Sequence, residues 1–160
     1  MHIDNAVPYE VENIIARRAR MGLIALATDH VIDNELALLM GRINGAQLYT
    51  TRIPMDPNVT QETLGAMETR LAAAAATLLP GVKLDVVGYG CTSASVVIGE
   101  DKVAAAIHVG CPDVTVTTPI TAGVEALRCL GATQIGLLTP YLQEVNAPLR
   151  AHFASNGSAV

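Results

Sequence analysis

Apolar residues recur along this chain in two rhythms. Short unbroken runs have the length of buried strands, and longer stretches carry apolar residues three and four apart, the spacing of one helix face. Met21–Ala27 (MGLIALA) is the first such run, and the polar turn Thr28-Asp29-His30 follows it. A helix is predicted over Ile32–Met40, with Leu36, Leu39 and Met40 on one face. Ala46–Ile53 (AQLYTTRI) is rich in strand formers and stops at Pro54, which disfavours continuation. Thr60–Leu79 reads as one long helix, with Leu64, Met67, Leu71 and an alanine run facing inward, ended by Pro80-Gly81. Leu84–Gly88 is a third strand, followed by the loop Tyr89-Gly90-Cys91-Thr92-Ser93 and two short helical pieces up to His108. Val114–Val116 is a fourth strand, and Ile120–Leu130 a helix that Gly131 closes. Ile135–Leu138 is predicted as a fifth strand, ending at Thr139-Pro140-Tyr141, before a last helix over 141–155.

Repeated strand–helix units specify a parallel sheet covered by helices. The expected fold is therefore α/β, a doubly wound, flavodoxin-like parallel sheet with helices on both faces. Residues 1–20 are expected to form a leader with an amphipathic helix from Glu10 to Arg20, whose solvated end carries Arg17, Arg18 and Arg20. Residues 21–160 are then an α/β lobe. Asn156-Gly157 is a turn that usually feeds another strand, so this lobe reads as the first of two, the second lying beyond Val160.

Composition narrows the function classes. Of 160 residues 51% are hydrophobic and 16% charged, too apolar for a disordered chain. The net charge of −5 with scattered basic residues argues against nucleic acid and anionic membrane as partners. The longest apolar runs fall short of the roughly 20 residues that span a bilayer, and the N-terminus lacks a signal-peptide pattern. Three cysteines without C-x-x-C spacing suggest neither a disulfide framework nor a zinc site, and free thiols fit the cytoplasm.

In open parallel sheets, ligands bind beyond the carboxyl ends of the strands. That rule gathers Thr28-Asp29-His30, Pro54-Met55-Asp56, the loop 89–93, Thr117-Thr118 and Thr139-Pro140-Tyr141 at one edge. Cys111 precedes its strand and belongs to the opposite edge, and Cys129, mid-helix beside Leu130, is expected to pack. Cys91 remains, flanked by Gly90 at a helix start, a position that favours a thiolate. The amides of Thr92 and Ser93 there suit a carboxylate or an oxyanion. Other phosphate- and thiol-based sites fail on spacing. The loop lacks the third glycine of a dinucleotide fingerprint, and Val97 stands where a low-molecular-weight phosphatase needs Arg. Cys91 and Pro140 occupy the strand ends where a receiver domain needs Asp and Lys, and the first loop is not an FMN phosphate loop.

Three segments carry a resemblance: Val87–Ser95 (VGYGCTSAS), Thr117–Gly131 (TTPITAGVEALRCLG) and Ile135–Tyr141 (IGLLTPY). Together they resemble the aspartate/glutamate racemase superfamily, in its maleate cis–trans isomerase and arylmalonate decarboxylase branch. The ectoine-utilisation racemase-like proteins are similar too. The resemblance implies two similar lobes with the active site between them and a catalytic cysteine from each. Cys91 matches the first-lobe cysteine, Tyr141 a carboxylate-binding tyrosine, and Thr92 and Ser93 the anion loop. Thr117 and Thr118 join them as substrate-positioning candidates. Asp29 stands where the isomerases place Asn, and there it repels a carboxylate unless a cation compensates. The implied function is a cofactor-independent, cysteine-dependent isomerase or racemase acting on a small carboxylic or dicarboxylic acid. The alternatives are an arylmalonate-type decarboxylase, whose first-lobe position is usually Gly, and a non-catalytic carboxylate-binding half-length paralogue. No metal is expected, and a homo-oligomer is.

Overall fold

The computed structural model describes residues 8–10 and 15–160. The elements run β1 (Ala19–Leu26), α1 (Ile32–Met40), β2 (Ala46–Ile53), α2 (Gln61–Gly65), α3 (Glu68–Ala76), β3 (Val86–Tyr89), α4 (Thr92–Ile98), α5 (Glu100–Gly110), β4 (Thr115–Thr117), α6 (Pro119–Leu130) and α7 (Gln143–Ser155). All four strands are parallel, in the order β2-β1-β3-β4. This is the expected α/β architecture, and α1 and β2 have the boundaries read from the sequence.

The register explains why the strand ends share an edge. Leu26 pairs with Ile53, and Ile24 with Tyr89, so β1, β2 and β3 finish side by side. At the other edge the Arg20 amide donates to the Asp85 carboxylate at 2.7 Å, and the Asp85 amide donates back to the Arg20 carbonyl at 2.9 Å. That reciprocal pair sets where β3 joins β1.

The two faces of the sheet are covered unequally. Ile24, Val87 and Tyr89 point to one side and pack with Leu71 of α3 and Val103 and Ile107 of α5, all fully buried. The helices α3 and α5 meet through small residues. A methyl built on Gly110 lies 2.1 Å from the Ala72 carbonyl oxygen and 2.6 Å from the Ala76 nitrogen, so backbone touches backbone there. The alternate residues Leu23 and Gly88 face the other side, where α1 and α6 stand over them. No residue of α1 is fully buried, and an apolar cleft of about 280 Å³ separates it from α6.

Helix α7 contains Pro148, which has no N–H for the carbonyl of Glu144 one turn earlier. The Gln61 side-chain amide fills that gap, donating to the Glu144 carbonyl at 2.8 Å and tying α7 to the start of α2.

Four expectations are corrected. Residues 11–14 of the expected leader helix lie outside the described residues, but Ile15–Arg18 form turns and bends and Ala19-Arg20 already belong to β1. The amides of Arg18 and Ala19 donate to the Gly45 carbonyl, at 2.8 and 3.2 Å, and this draws the arginine segment into the strand. The predicted helix 60–79 divides at Ala66-Met67 after Gly65, a weak helix former, while Leu64, Met67 and Leu71 are buried as expected. The predicted fifth strand over Ile135–Leu138 does not form. A strand needs a hydrogen-bonded neighbour, and the sheet ends at β4. Only the start of the segment finds a partner, where Ile135 and Thr133 exchange backbone hydrogen bonds with Ala159, and Leu138 is 98% exposed. Cys129, expected to pack, is exposed on α6.

The α3–α5 seam gives a direct test. Gly110→Ala has no flexible neighbour to displace, so it is expected to destabilise the fold by about 1–3 kcal/mol or more. Gly136→Ala, where a methyl meets nothing within 4 Å, serves as the tolerated control. Urea unfolding of both variants checks the difference.

Candidate active site at the strand ends

Cys91 follows β3 directly, and its backbone is fixed from both sides. The Gly90 amide donates to the Ile24 carbonyl at 2.9 Å, carrying the β1–β3 ladder one residue past the strand. The Cys91 carbonyl accepts from the Ser95 amide at 3.1 Å and the Ser95 hydroxyl at 2.6 Å. Cys91 is thus the N-cap of α4 in extended conformation, and its side chain caps no amide, which leaves the first-turn N–H groups to other acceptors. The thiol is 4% exposed and lies 3.8 Å from the Ser93 hydroxyl. The Tyr89 hydroxyl, buried in the same cluster, donates to the Met67 sulfur at 3.8 Å. Burial, then the neighbouring Cys91, push the Tyr89 hydroxyl well above the ordinary tyrosine range. Gly90 admits α1: a methyl there comes within 2.7 Å of the Ile32 side chain.

The first loop answers the question that Asp29 raised. Its carboxylate accepts from the amides of Val31 and Ile32, both at 2.9 Å, and so shapes the entry to α1. These two backbone hydrogen bonds hold the Asp29 carboxyl below its ordinary range, with Arg52 and His30 adding smaller electrostatic contributions. Arg52 stands beside this loop. Its guanidinium donates to the carbonyls of Leu26 at 2.6 Å and Asp29 at 2.7 Å and pairs with the Asp33 carboxylate, clamping the loop to β2.

The remaining candidates are placed unevenly. Thr92 and Ser93 sit beside Cys91 in the first turn of α4. Thr118 is buried and caps α6, its hydroxyl accepting from the Thr121 amide at 3.1 Å, while Thr121 bonds Glu100. Thr117 lines the apolar cleft beside Gly88 and Gly90. Tyr141 packs against the buried cluster that contains Cys91, its carbonyl accepting from Asn146 at 2.8 Å. Cys111 lies at the opposite edge as expected, and burial raises its thiol pKa. Arg70, which donates to the Pro54 carbonyl at 2.5 Å, acts electrostatically on Tyr89. Tyr89, Arg52 and Arg70 were not sequence candidates. Tyr89 had a visible signal, an inward strand position two residues before the cysteine, but the arginines sit far along the chain from the loops they serve. Among the described residues no group of three or more His, Cys, Asp or Glu side chains could hold a metal ion, and no helix is long and apolar enough to cross a membrane.

No family model matches the chain. A curated relative, the maleate isomerase of Nocardia farcinica, is 27% identical over 150 residues, covering 88% of this chain and 59% of its own length. Solved structures of Nocardia farcinica maleate cis–trans isomerase superpose with a TM-score of 0.74 at 26% identity, over 89% of this chain and 61% of that one. The chain is similar to maleate isomerase in both sequence and fold. One of those structures is a cysteine-to-serine mutant with a covalently bound succinylcysteine intermediate. The maleate isomerase of Pseudomonas putida S16, solved with maleate, shares the fold at TM-score 0.74 and 23% identity. Arylmalonate decarboxylase follows at 0.54 and 22%. These neighbours lie in the aspartate/glutamate racemase superfamily, as the three sequence segments implied. The chain spans about three fifths of the length of the maleate isomerases it matches.

The Asp29 geometry predicts a pH-dependent stability difference. A carboxyl whose pKa falls on folding stabilises the native chain while ionised, and loses that contribution as pH drops through its native value. The gap in urea midpoint between the protein and Asp29→Ala is therefore expected to be widest near neutrality and to shrink as pH falls below about 5 and on through the lowered native value.

Proposed function

We propose that this chain supplies the Cys91 half-site of a cysteine-dependent isomerase acting on a small unsaturated dicarboxylate of the maleate type. One observation carries the reading. The cysteine that the family resemblance selects is the strand-end thiol of this sheet, fixed by backbone hydrogen bonds and hydroxyl-lined, in a fold whose solved relative holds a succinylcysteine.

The chemistry follows from a thiolate next to an electron-poor double bond. The Cys91 sulfur donates an electron pair to one alkene carbon and forms a C–S bond, while the π pair moves to the other carbon and into its carboxylate as an enediolate. The former double bond is now single and rotates. Return of the pair breaks the C–S bond and releases the trans diacid with the thiolate regenerated. The amides of Thr92 and Ser93 are assigned to the developing oxyanion, and the Tyr141 hydroxyl to a substrate carboxylate. Thr117 narrows the same edge. Asp29 is assigned to shaping the loop, since its carboxylate is already engaged by two amides. The better superposition on maleate isomerase than on arylmalonate decarboxylase, together with a cysteine at position 91, favours isomerisation over decarboxylation. The exposed Leu38, Leu39, Leu130, Leu138 and Leu142 supply apolar surface that association between copies would cover, which supports a homo-oligomer.

Covalent labelling by maleate tests the reading, because site-directed and non-specific addition give opposite orders. Peptide mapping after incubation is expected to find the diacid adduct on Cys91, the most buried of the three thiols, and little on exposed Cys129 or half-buried Cys111. Labelling that instead follows exposure, Cys129 first and Cys91 last, would overturn the proposal.

A further inference from the structure

On the reading of this edge as a dicarboxylate site, we infer that Arg70 binds one substrate carboxylate and supplies the cation missing from the other assigned groups. Those groups, the Thr92 and Ser93 amides and the Tyr141 hydroxyl, are neutral donors. A dianion approaching a chain of net charge −5 gains from a fixed positive charge near the thiol. Two arginines serve the strand-end loops, and they are committed differently. The Arg52 guanidinium is spent, with Nη1 on the carbonyls of Leu26 and Asp29 and Nη2 on the Asp33 carboxylate. Arg70 donates from Nη1 to the Pro54 carbonyl at 2.5 Å, and among the described residues its guanidinium makes no other hydrogen bond. No carboxylate of the described residues lies within ion-pair distance of it. Asp56, two residues past Pro54, accepts from the Asn58 amide at 2.8 Å instead. The Nε and Nη2 donors of Arg70 are thus left as a fork, the geometry that grips a carboxylate through two parallel hydrogen bonds.

The fold places this guanidinium at the reactive edge. Helix α3 runs antiparallel to β2: Arg70 in its first turn meets Pro54 just past the strand, whereas Thr77 at its end bonds the Thr51 hydroxyl within the strand at 2.9 Å. The first turn of α3 therefore lies beside the strand-end loops. Arg70 follows Met67 by one turn, so the two share a side of the helix, and the Met67 sulfur is 3.8 Å from the Tyr89 hydroxyl. Met67, Tyr89 and Cys91 belong to one buried cluster, and Arg70, half-buried, stands at its rim.

The test compares two alkylating reagents of similar shape at Cys91, anionic iodoacetate and neutral iodoacetamide, with adducts mapped by mass spectrometry. The ratio of the iodoacetate rate to the iodoacetamide rate is expected to be higher at Cys91 than on a neutral cysteine peptide, and to fall with added salt. Arg70→Gln is expected to lower the Cys91 ratio about three- to tenfold, and Arg70→Lys to keep most of it. An arginine that merely clamps the Pro54 loop would change both rates alike. A ratio unmoved by Arg70→Gln therefore overturns the inference, as does a Cys91 ratio no higher than that of the peptide. If Arg70→Gln fails to fold, the unaltered protein decides the matter. Maleate and unreactive succinate are expected to slow phenylglyoxal modification of Arg70, and succinamide is not. Modification that the dicarboxylates leave unchanged, or no modification of Arg70 at all, overturns the assignment. The two proposals fail separately. A ratio lowered by Arg70→Gln with no maleate adduct on Cys91 keeps Arg70 as an anion site and removes the isomerase substrate. A maleate adduct on Cys91 with an unmoved ratio removes Arg70 alone.

Discussion

The hydrogen-bond ladder that holds β1 between β2 and β3 is the constraint on which the site depends. Each strand-end loop takes its position from that pairing: the first loop leaves β1 where Leu26 meets Ile53, and the cysteine loop leaves β3 where Tyr89 meets Ile24. The ladder does not stop with the strands. The Ala27 amide donates to the Ile53 carbonyl at 2.8 Å and the Gly90 amide to the Ile24 carbonyl, so the first residue of each loop is still held by sheet geometry. A parallel sheet has this property at one edge only, because every strand runs toward it. The Arg52 guanidinium extends the same logic to the side chains, since it sits on β2 and grips carbonyls belonging to β1 and its loop.

The sequence was legible where local and tertiary demands agree. The runs at 21–27 and 46–53 are strands because they are apolar or β-branched and bounded by turns. The loop with Cys91 was found by a rule about edges and not by a motif alone. The failures share a physical reason, which is that a periodic pattern states what a segment can do and not what lies beside it. Ile135–Leu138 has strand chemistry but no neighbour to pair with along most of its length. Glu10 to Arg20 reads as an amphipathic helix, yet the hydrogen bonds of Arg18 and Ala19 to Gly45 draw its last residues into β1. Asp29 was weighed for its charge toward a substrate, while its nearest partners are two backbone amides that its own sequence supplies. Tyr89 is the instructive omission, because strand alternation alone turns it into the buried cluster that also holds Cys91.

The unequal cover of the two faces also bears on the site. One face is closed by α3 and α5, and Cys91 belongs to the buried cluster on that side. The other face is closed less tightly by α1 and α6, and there Gly88, Gly90 and Thr117 line the cleft. The cysteine loop therefore has a firm floor and a looser roof. Gln61, by meeting the carbonyl that Pro148 leaves without a donor, ties α7 and with it the Tyr141 region to the firm side.

That firm side is built from unusual material. With one Phe and no Trp in the chain, density has to come from somewhere other than large rings. It comes from Ala72, Ala75, Ala76 and Gly110, which bring two helix backbones into contact. Alanine and glycine surrender no side-chain rotamers when they are ordered, whereas Leu or Met lose torsional entropy on burial. The support beneath the reactive edge thus reaches close packing with little configurational penalty from its side chains, and it has no alternative rotamers through which to relax. Its stiffness is a property of what those side chains lack.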